Sequence, residues 1–401
     1  MLKEVRIENY KSIQKLKLDL GRVTVLIGEN GCGKSNILEA IALASAAADD
    51  KLDNEFLASR GIRVTEPQLM RSAFEMENLV KDIKIDIREN EEENFSYILQ
   101  NDNSPYSSWT HKNLSALNFF LKDVSKSMET QNLIFTNAKN QPDKVSIELL
   151  ERIKKALESP KFKKNFLFGL ESINTSFSPA NLINFTIYSP ENQALRTFEK
   201  EGQIQPLGIN GEGLFKLIKV LNSEPNQDKI NQIKDKLQLI DWFRDFEVPE
   251  DLSAMQSSLQ IKDKYLDRDL TYFDQKSSNE GFLFLLFYFA LFISDLTPKF
   301  FAIDNIDASL NPRLCRRLMQ ELVELAQKYD KQVIFTTHNP AVLDGLDLED
   351  DEQRLLVISR NQLGYTKARR ILGPKPLEDQ EPVELSEAFL RGYIGGLPKN
   401  F

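Results

Sequence analysis

The sequence predicts an α/β protein with a parallel-sheet core, an N-terminal antiparallel β lobe and a helical insertion. Strand-like and helix-like segments alternate from about residue 257 to residue 338, which is typical of a parallel sheet with crossover helices. A short apolar strand at 22–27 enters a glycine-rich turn that continues into a helix. The chain also opens with two period-2 segments, the pattern of a hairpin.

The order of these segments predicts the domain organisation. Period-2 patterns at 3–7 and 15–20 give the first hairpin, and two further strand patterns form a meander after the first helix. Helical stretches joined by Asn, Ser and Pro then predict an inserted unit over 101–181. We therefore expect a discontinuous head, made of 1–100 and 182–401, that this insertion interrupts.

Composition argues against several classes of protein. The 51 Lys and Arg against 60 Asp and Glu give a net charge of -9, which disfavours a sequence-independent grip on nucleic acid by the whole surface. Two cysteines are too few for a disulfide framework. The apolar run 281–293 is well short of the roughly 20 residues that span a membrane, and no signal-peptide pattern opens the chain. We expect a cytoplasmic protein without membrane contact.

The most specific motif is GENGCGKS, residues 28–35, which fits the G-x-x-x-x-G-K-[ST] phosphate loop. Its glycines allow backbone N–H groups to converge on phosphate oxygens, and the helix that starts near Lys34 points its positive end at them. Lys34 is expected to reach the β- and γ-phosphates of ATP, and the Ser35 hydroxyl to bind Mg²⁺. The predicted nucleotide-binding residues in this region are Gly28, Asn30, Gly31, Gly33, Lys34, Ser35 and Asn36.

A second motif is an apolar strand that ends at Asp304, as expected of a Walker B strand whose carboxylate holds Mg²⁺. Read alone, such an aspartate also fits a simple turn cap. The next residue is Asn305, and a carboxamide cannot accept a proton as a general base does. It can still orient a water by hydrogen bonding.

A third signal is a buried strand that ends at His338, at a spacing that suits a contact with the γ-phosphate. A lone histidine at a strand end is more often structural. Asp307, Glu280 and His338 are alternative substitutes for the missing base, and the sequence alone does not choose among them. The predicted catalytic residues are Asp304, Asn305, Asp307 and His338, with Ser35 and Asp304 as the metal ligands.

The stretches LIGENGCGKSNILEAI, IDNIDASLNP and VIFTTHNP, in this order and spacing, resemble the ABC-type P-loop ATPase heads of the RecF, SMC, Rad50 and OLD class, including compact antiphage-defence ATPases such as PtuA of the Septu system. The opening VRIENYKSI is similar to the first hairpin of that class. The resemblance covers 1–45 and about 265–345 well, and the middle of the chain only loosely.

The resemblance implies a signature loop that closes over the nucleotide of a second head. Its candidate is SSNEG, 277–281, with Ser278 and Gly281 as the contacting residues, although the usual Ser-x-Gly spacing is absent. The class carries Asp-Glu where this chain has Asp304 and Asn305, and Asn311 replaces a further acid or histidine. Hydrolysis of MgATP is therefore expected to be slow, which suits a switch better than a motor.

Three functions remain open: the ATP switch of a bacterial antiphage complex, a RecF-like DNA repair ATPase that clamps DNA, and a transporter motor, which is the weakest. A homodimer or higher oligomer of heads is expected. By resemblance, a separate HNH or Toprim-like nuclease is the expected effector, since about 60 residues after His338 are too few for such a domain. Basic and aromatic residues between Lys154 and Lys164 form a candidate nucleic-acid patch, although a solvated helix face is the commoner explanation.

Overall fold

The computed structural model describes most of the chain, in several stretches. Most of the predicted insertion at 101–181 lies outside the described residues, and so does the basic patch between Lys154 and Lys164; both stay predictions. The described residues are 1–90, 93–104, 107–113, 178–197, 206–223, 227–248, 259–267, 269–373 and 383–397.

The described strands are numbered here in chain order. They are β1 Glu4–Tyr10, β2 Ile13–Asp19, β3 Val23–Ile27, β4 Ile83–Arg88, β5 Asn94–Gln100, β6 Thr110–Asn113, β7 Ile187–Tyr188, β8 Phe243–Glu247, β9 Gln260–Asp263, β10 Phe300–Ile303, β11 Gln332–Thr337, β12 Gln353–Arg360 and β13 Thr366–Ile371.

The described helices follow the same convention. They are α1 Lys34–Ala48, α2 Asn54–Ser59, α3 Pro67–Met70, α4 Asn192–Arg196, α5 Leu214–Asn222, α6 Asp228–Leu237, α7 Glu280–Ile293, α8 Pro312–Lys328 and α9 Leu385–Leu390. Two 3-10 turns, Met76–Val80 and Pro340–Gly345, accompany them.

Within the described residues the strands form two large sheets and a small pair. The N-terminal lobe is antiparallel in the order β2-β1-β4-β5-β6, so β6 joins it from within the range predicted as insertion. The core sheet has the order β13-β12-β3-β11-β10-β7 and is parallel except for the β12–β13 hairpin. The predicted α/β fold, with an antiparallel lobe and a parallel core, is confirmed.

The core sheet is buried on both faces, because alternate side chains of its strands enter two separate apolar clusters. Val25 of β3 packs with helix α7, whereas Leu26 packs with helix α1 and the N-terminal lobe. Helix α7 is buried from Phe282 to Ile293, so its apolar surface faces protein on every side. In the part of the chain that the structure describes, no helix has the length and apolarity to cross a bilayer.

Parallel pairing aligns the carboxyl ends of β3, β11 and β10 at one edge of this sheet. Ile27 of β3 pairs with Thr337 of β11, and Phe335 of β11 pairs with Ile303 of β10. The segments that follow these three strands therefore meet at that edge, where open α/β sheets bind ligands.

Candidate nucleotide-binding site

The glycine-rich loop connects β3 to α1, and the β12–β13 hairpin encloses it. Gly33, just before α1, has φ of 109°. A Cβ atom there would lie 2.1 Å from the Thr366 side-chain oxygen, and one on Gly28 would lie 2.1 Å from the Ile358 carbonyl oxygen. Both approaches are possible only for glycine. The glycines that the motif predicts thus allow the loop to pack against the hairpin.

Lys34 is held at the mouth of this loop. Its Nζ donates hydrogen bonds to the carbonyl oxygens of Gly28, at 2.9 Å, and Glu29, at 3.1 Å. Burial lowers the pKa of the Lys34 ammonium, and the charges of Cys32, Asp304 and Asp307 act in the opposite direction. The loop's own carbonyl groups therefore hold this ammonium in place.

Ser35 and Asp304 lie side by side, as the two motifs predict. The Ser35 hydroxyl donates to Asp304 Oδ2 at 3.0 Å, although the residues are 269 positions apart. The Thr336 hydroxyl of β11 donates to the other carboxylate oxygen and so fixes its orientation. One hydroxyl and one carboxylate are the protein ligands that a magnesium ion commonly takes alongside nucleotide phosphates. The residues present fit MgATP.

Asn305 occupies an unusual backbone conformation. Its φ is 57°, in the left-handed region that asparagine tolerates better than glutamate does, and its side chain is exposed. Its N–H donates to the Thr336 hydroxyl at 2.9 Å. Asparagine at this position is thus consistent with the local backbone.

Asp307 and His338 lie on either side of the end of β11. The Thr337 hydroxyl donates to Asp307 Oδ1 at 2.6 Å and accepts from the Asn339 N–H at 3.0 Å. His338 directly follows Thr337, and its side chain is exposed. Partial burial and the Lys34 charge lower the pKa of His338, which favours a neutral ring at neutral pH.

The remaining loop residues differ in their surroundings. Asn30 and Gly31 are exposed at the loop tip, and Gly31 has φ of 73°. Asn36 Nδ2 donates to the Ser12 hydroxyl at 2.7 Å, and Asn36 Oδ1 accepts from Arg63 at 3.3 Å. Asn36 therefore ties α1 to the N-terminal lobe.

Sequence reasoning missed the threonines around this site. Thr366 donates to the Cys32 carbonyl at 2.8 Å and lies 2.7 Å from the Ser12 hydroxyl. Thr336 and Thr337 hold the two aspartates that follow β10. The pair Thr336 and Thr337, at the end of a strand and directly before His338, could have predicted the first two contacts. No local sequence pattern predicts the role of Thr366.

The candidate signature loop precedes α7. Asn279 caps this helix by accepting from the Phe282 N–H at 2.8 Å. Ser278 is 4% exposed and donates to the Asn279 carbonyl at 3.3 Å, whereas Ser277 is exposed. A Cβ on Gly281 would lie 3.6 Å from the Ser309 carbonyl oxygen. Among the described residues, no hydrogen bond or ion pair joins this loop to residues 28–35.

Asn311, the other departure from the class, has a structural role in this fold. Its side chain caps α8 by accepting from the Leu314 N–H at 2.9 Å. An asparagine is among the residues that most favour this position.

A family model matches residues 23–344, which include the phosphate loop, Asp304 and His338; its description is "AAA domain, putative AbiEii toxin, Type IV TA system". The chain belongs to this AAA-domain family. The family supports a P-loop ATPase, and nucleotide binding with it.

The curated relatives match this chain over short stretches only. The chain is 37% identical over 67 residues to the uncharacterized protein MJECL10 of Methanocaldococcus jannaschii, which is 15% of this chain and 31% of that protein. It is 36% identical over 55 residues to the DNA replication and repair protein RecF of Bacillus thuringiensis, 14% of this chain and 15% of that protein. The matches thus span less than a third of either relative.

A solved structure extends the comparison to the whole fold. The SMC head bound to the C-terminal winged-helix domain of ScpA superposes with a TM-score of 0.52 at 15% identity, over 92% of this chain and 98% of that one. At this identity the likeness concerns the fold, which is that of an ABC-type head.

Proposed function

We propose that this chain is the ATP switch of a bacterial antiphage defence complex: two heads close over ATP, hydrolyse it slowly, and control a separate effector. The observation that carries the proposal is the hydrogen bond from Ser35 of the phosphate loop to Asp304 at the end of β10, with Asn305 directly after that aspartate. The first pair suits the capture of MgATP, and the amide makes cleavage slow. A state that persists after binding is what a switch needs.

The expected slow step follows from the groups beside the phosphate loop. Asp304 is engaged by Ser35 and Thr336, and Asp307 accepts from Thr337, so both carboxylates already have hydroxyl partners. Burial lowers the pKa of His338, and a neutral imidazole can accept a proton, so His338 is the alternative base at this site. A general base contributes about 10²–10⁴ in rate, and turnover is expected to be slower by a factor in this range than with a well-placed glutamate.

Pairing of two heads is supported by the loop at 277–281. Its exposed Ser277 and the N-terminus of α7 form no polar contact with the chain's own phosphate loop among the described residues. A second head that presents this loop to the bound nucleotide completes the site. We therefore propose that MgATP drives a symmetric dimer.

The defence role rests on the family description, which names a putative toxin of a toxin–antitoxin system, and on the resemblance to compact antiphage ATPases. In our proposal this chain is the regulator, and a separate partner polypeptide carries the destructive activity. We propose that a nuclease of the HNH or Toprim type, encoded beside this chain, is that partner.

The test is protection of cells that carry this chain together with the neighbouring gene. Plaque counts should fall with the wild type and return to the vector level with Lys34→Ala, because the loop then loses its ammonium. Lys216→Ala, an exposed change on α5, is the matched control and should protect fully. Equal protection by Lys34→Ala and wild type would refute the switch.

A RecF-like clamp on DNA is the second candidate, favoured by the short RecF match. It predicts strong duplex binding by the isolated protein, with an affinity that falls steeply with salt. The net charge of -9 argues for weak binding. Submicromolar affinity at 150 mM salt, with a steep salt slope, would favour the clamp over the defence switch.

A further inference from the structure

A short segment after α9, residues 392–397, lies directly against the first glycine of the phosphate loop; we name it the strap. A Cβ atom on Gly396 would lie 3.6 Å from Gly28 Cα and 2.9 Å from Val357 Cγ1. Gly396 has φ of 88°. The positive φ and the close approach to Val357 favour glycine at this position, and Gly28 lies within van der Waals contact.

The strap is held in place by a polar contact and by packing. Arg369 Nη2, on β13, donates to the Ile394 carbonyl at 2.5 Å. Ile394 and Leu397 pack against the core cluster that contains Val357. Helix α9, which leads into the strap, is anchored by the hydrogen bond from the Ser386 N–H to Asp344, at 2.8 Å.

One hairpin connects the strap to both ends of the phosphate loop. Ile358 of β12 places its carbonyl against Gly28, and Thr366 of β13 donates to the Cys32 carbonyl. Arg369, three residues after Thr366, holds the strap. Gly28 is therefore enclosed by β12 and by the strap.

Gly28 matters because its carbonyl oxygen binds Lys34. Lys34 Nζ lies 2.9 Å from this oxygen. A shift of the Gly28 peptide would displace the ammonium from the place where it meets a phosphate. Displacements of about 1 Å at such sites have large effects.

We propose that the strap is a positioning element for the phosphate loop, and that its release from Arg369 weakens nucleotide binding. This inference rests on the proposed nucleotide site. Coupling between two sites is reciprocal, so bound nucleotide must stabilise the strap by the same factor by which the strap strengthens binding. A partner that displaced the strap would thereby unload the switch.

The first test measures the affinity of the full chain for MgATPγS by calorimetry. Arg369→Ala should raise the dissociation constant by about fivefold or more, within the usual range of such couplings. Arg369→Lys keeps a donor and should restore most of the affinity. Lys367→Ala removes an exposed cation two residues away on the same strand and should change the affinity by less than about twofold.

The second test follows tryptic cleavage after Arg391, an exposed residue next to the strap. MgATPγS should slow this cleavage by about threefold or more in the wild type, and by less in Arg369→Ala. A purely structural contact would alter melting temperature and leave this nucleotide dependence unchanged.

The outcomes separate the two proposals. Weaker binding in Arg369→Ala together with nucleotide-protected cleavage supports the strap. Tight binding by the wild type with no change in either measurement overturns the strap and leaves the nucleotide site standing. Failure of the wild type to bind MgATPγS overturns both.

Discussion

Replacing Asn305 by an acid should accelerate ATP turnover if the missing base is what makes this site slow. Asn305 follows Asp304 at the end of β10, its side chain is exposed, and Asp304 and Asp307 are both bound by threonine hydroxyls. Asn305→Glu adds a carboxylate of the length found in the resembled class. Asn305→Asp adds one that is shorter by a methylene group.

The magnitude follows from two terms. A positioned base is worth about 10²–10⁴ in rate, so we expect a gain of about 10² or more for Asn305→Glu and a smaller gain for Asn305→Asp. The backbone φ of 57° costs glutamate about 1–2 kcal/mol in folding stability, whereas aspartate tolerates this region almost as well as asparagine. Rate and stability should therefore change differently in the two variants.

The assay is phosphate release under saturating MgATP, with nucleotide affinity and chemical denaturation measured on the same samples. Each variant is also made with Lys34→Ala, to show that the added turnover comes from this site. Unchanged or lower turnover in Asn305→Glu, with binding intact, would show that a missing base does not limit the rate.

Three further changes test other parts of the site and the core. Thr336→Val removes the hydroxyl that donates to Asp304 and should weaken the affinity for Mg²⁺ about tenfold, measured by magnesium titration of nucleotide binding. An unchanged affinity would show that Thr336 does not orient this carboxylate. Gly33→Ala introduces a Cβ atom 2.1 Å from the Thr366 side-chain oxygen, at a φ of 109°. This change should abolish ATP binding or lower the free energy of unfolding in urea by about 2 kcal/mol or more, and wild-type behaviour would refute the packing argument. Burial lowers the pKa of Lys331 to about 7, so above that pH the folded state binds fewer protons than the unfolded state. The free energy of unfolding of the wild type should therefore rise between pH 7 and pH 9 by up to about 2 kcal/mol more than that of Lys331→Met. Parallel pH profiles of the two proteins would contradict this.

The sequence predicted those parts of the fold that depend on local pattern. Alternating residues predicted β1 and β2, and an apolar run predicted β10 with Asp304 at its end. The phosphate-loop spacing located Lys34 and Ser35 at the start of α1. Such signals are short-range, because side-chain periodicity and turn chemistry act over a few residues.

The parts that the sequence did not predict depend on contacts between distant segments. Thr366 meets Cys32 across 334 positions, and Gly396 approaches Gly28 from beyond the last motif. Neither contact leaves a periodic pattern. The burial of Ser278 likewise depends on contacts that the sequence does not reveal. Packing around α7 determines that Ser278 is buried and that the adjacent Ser277 is exposed.

The proposed switch depends most on MgATP binding at residues 28–35 together with Asp304. Calorimetric titration of the full chain with ATP, with and without Mg²⁺, tests this directly. We predict one site per chain, tighter binding with Mg²⁺, and loss of that magnesium effect in Ser35→Ala. Absence of heat with MgATP, or an affinity indifferent to Mg²⁺ in the wild type, would contradict the account.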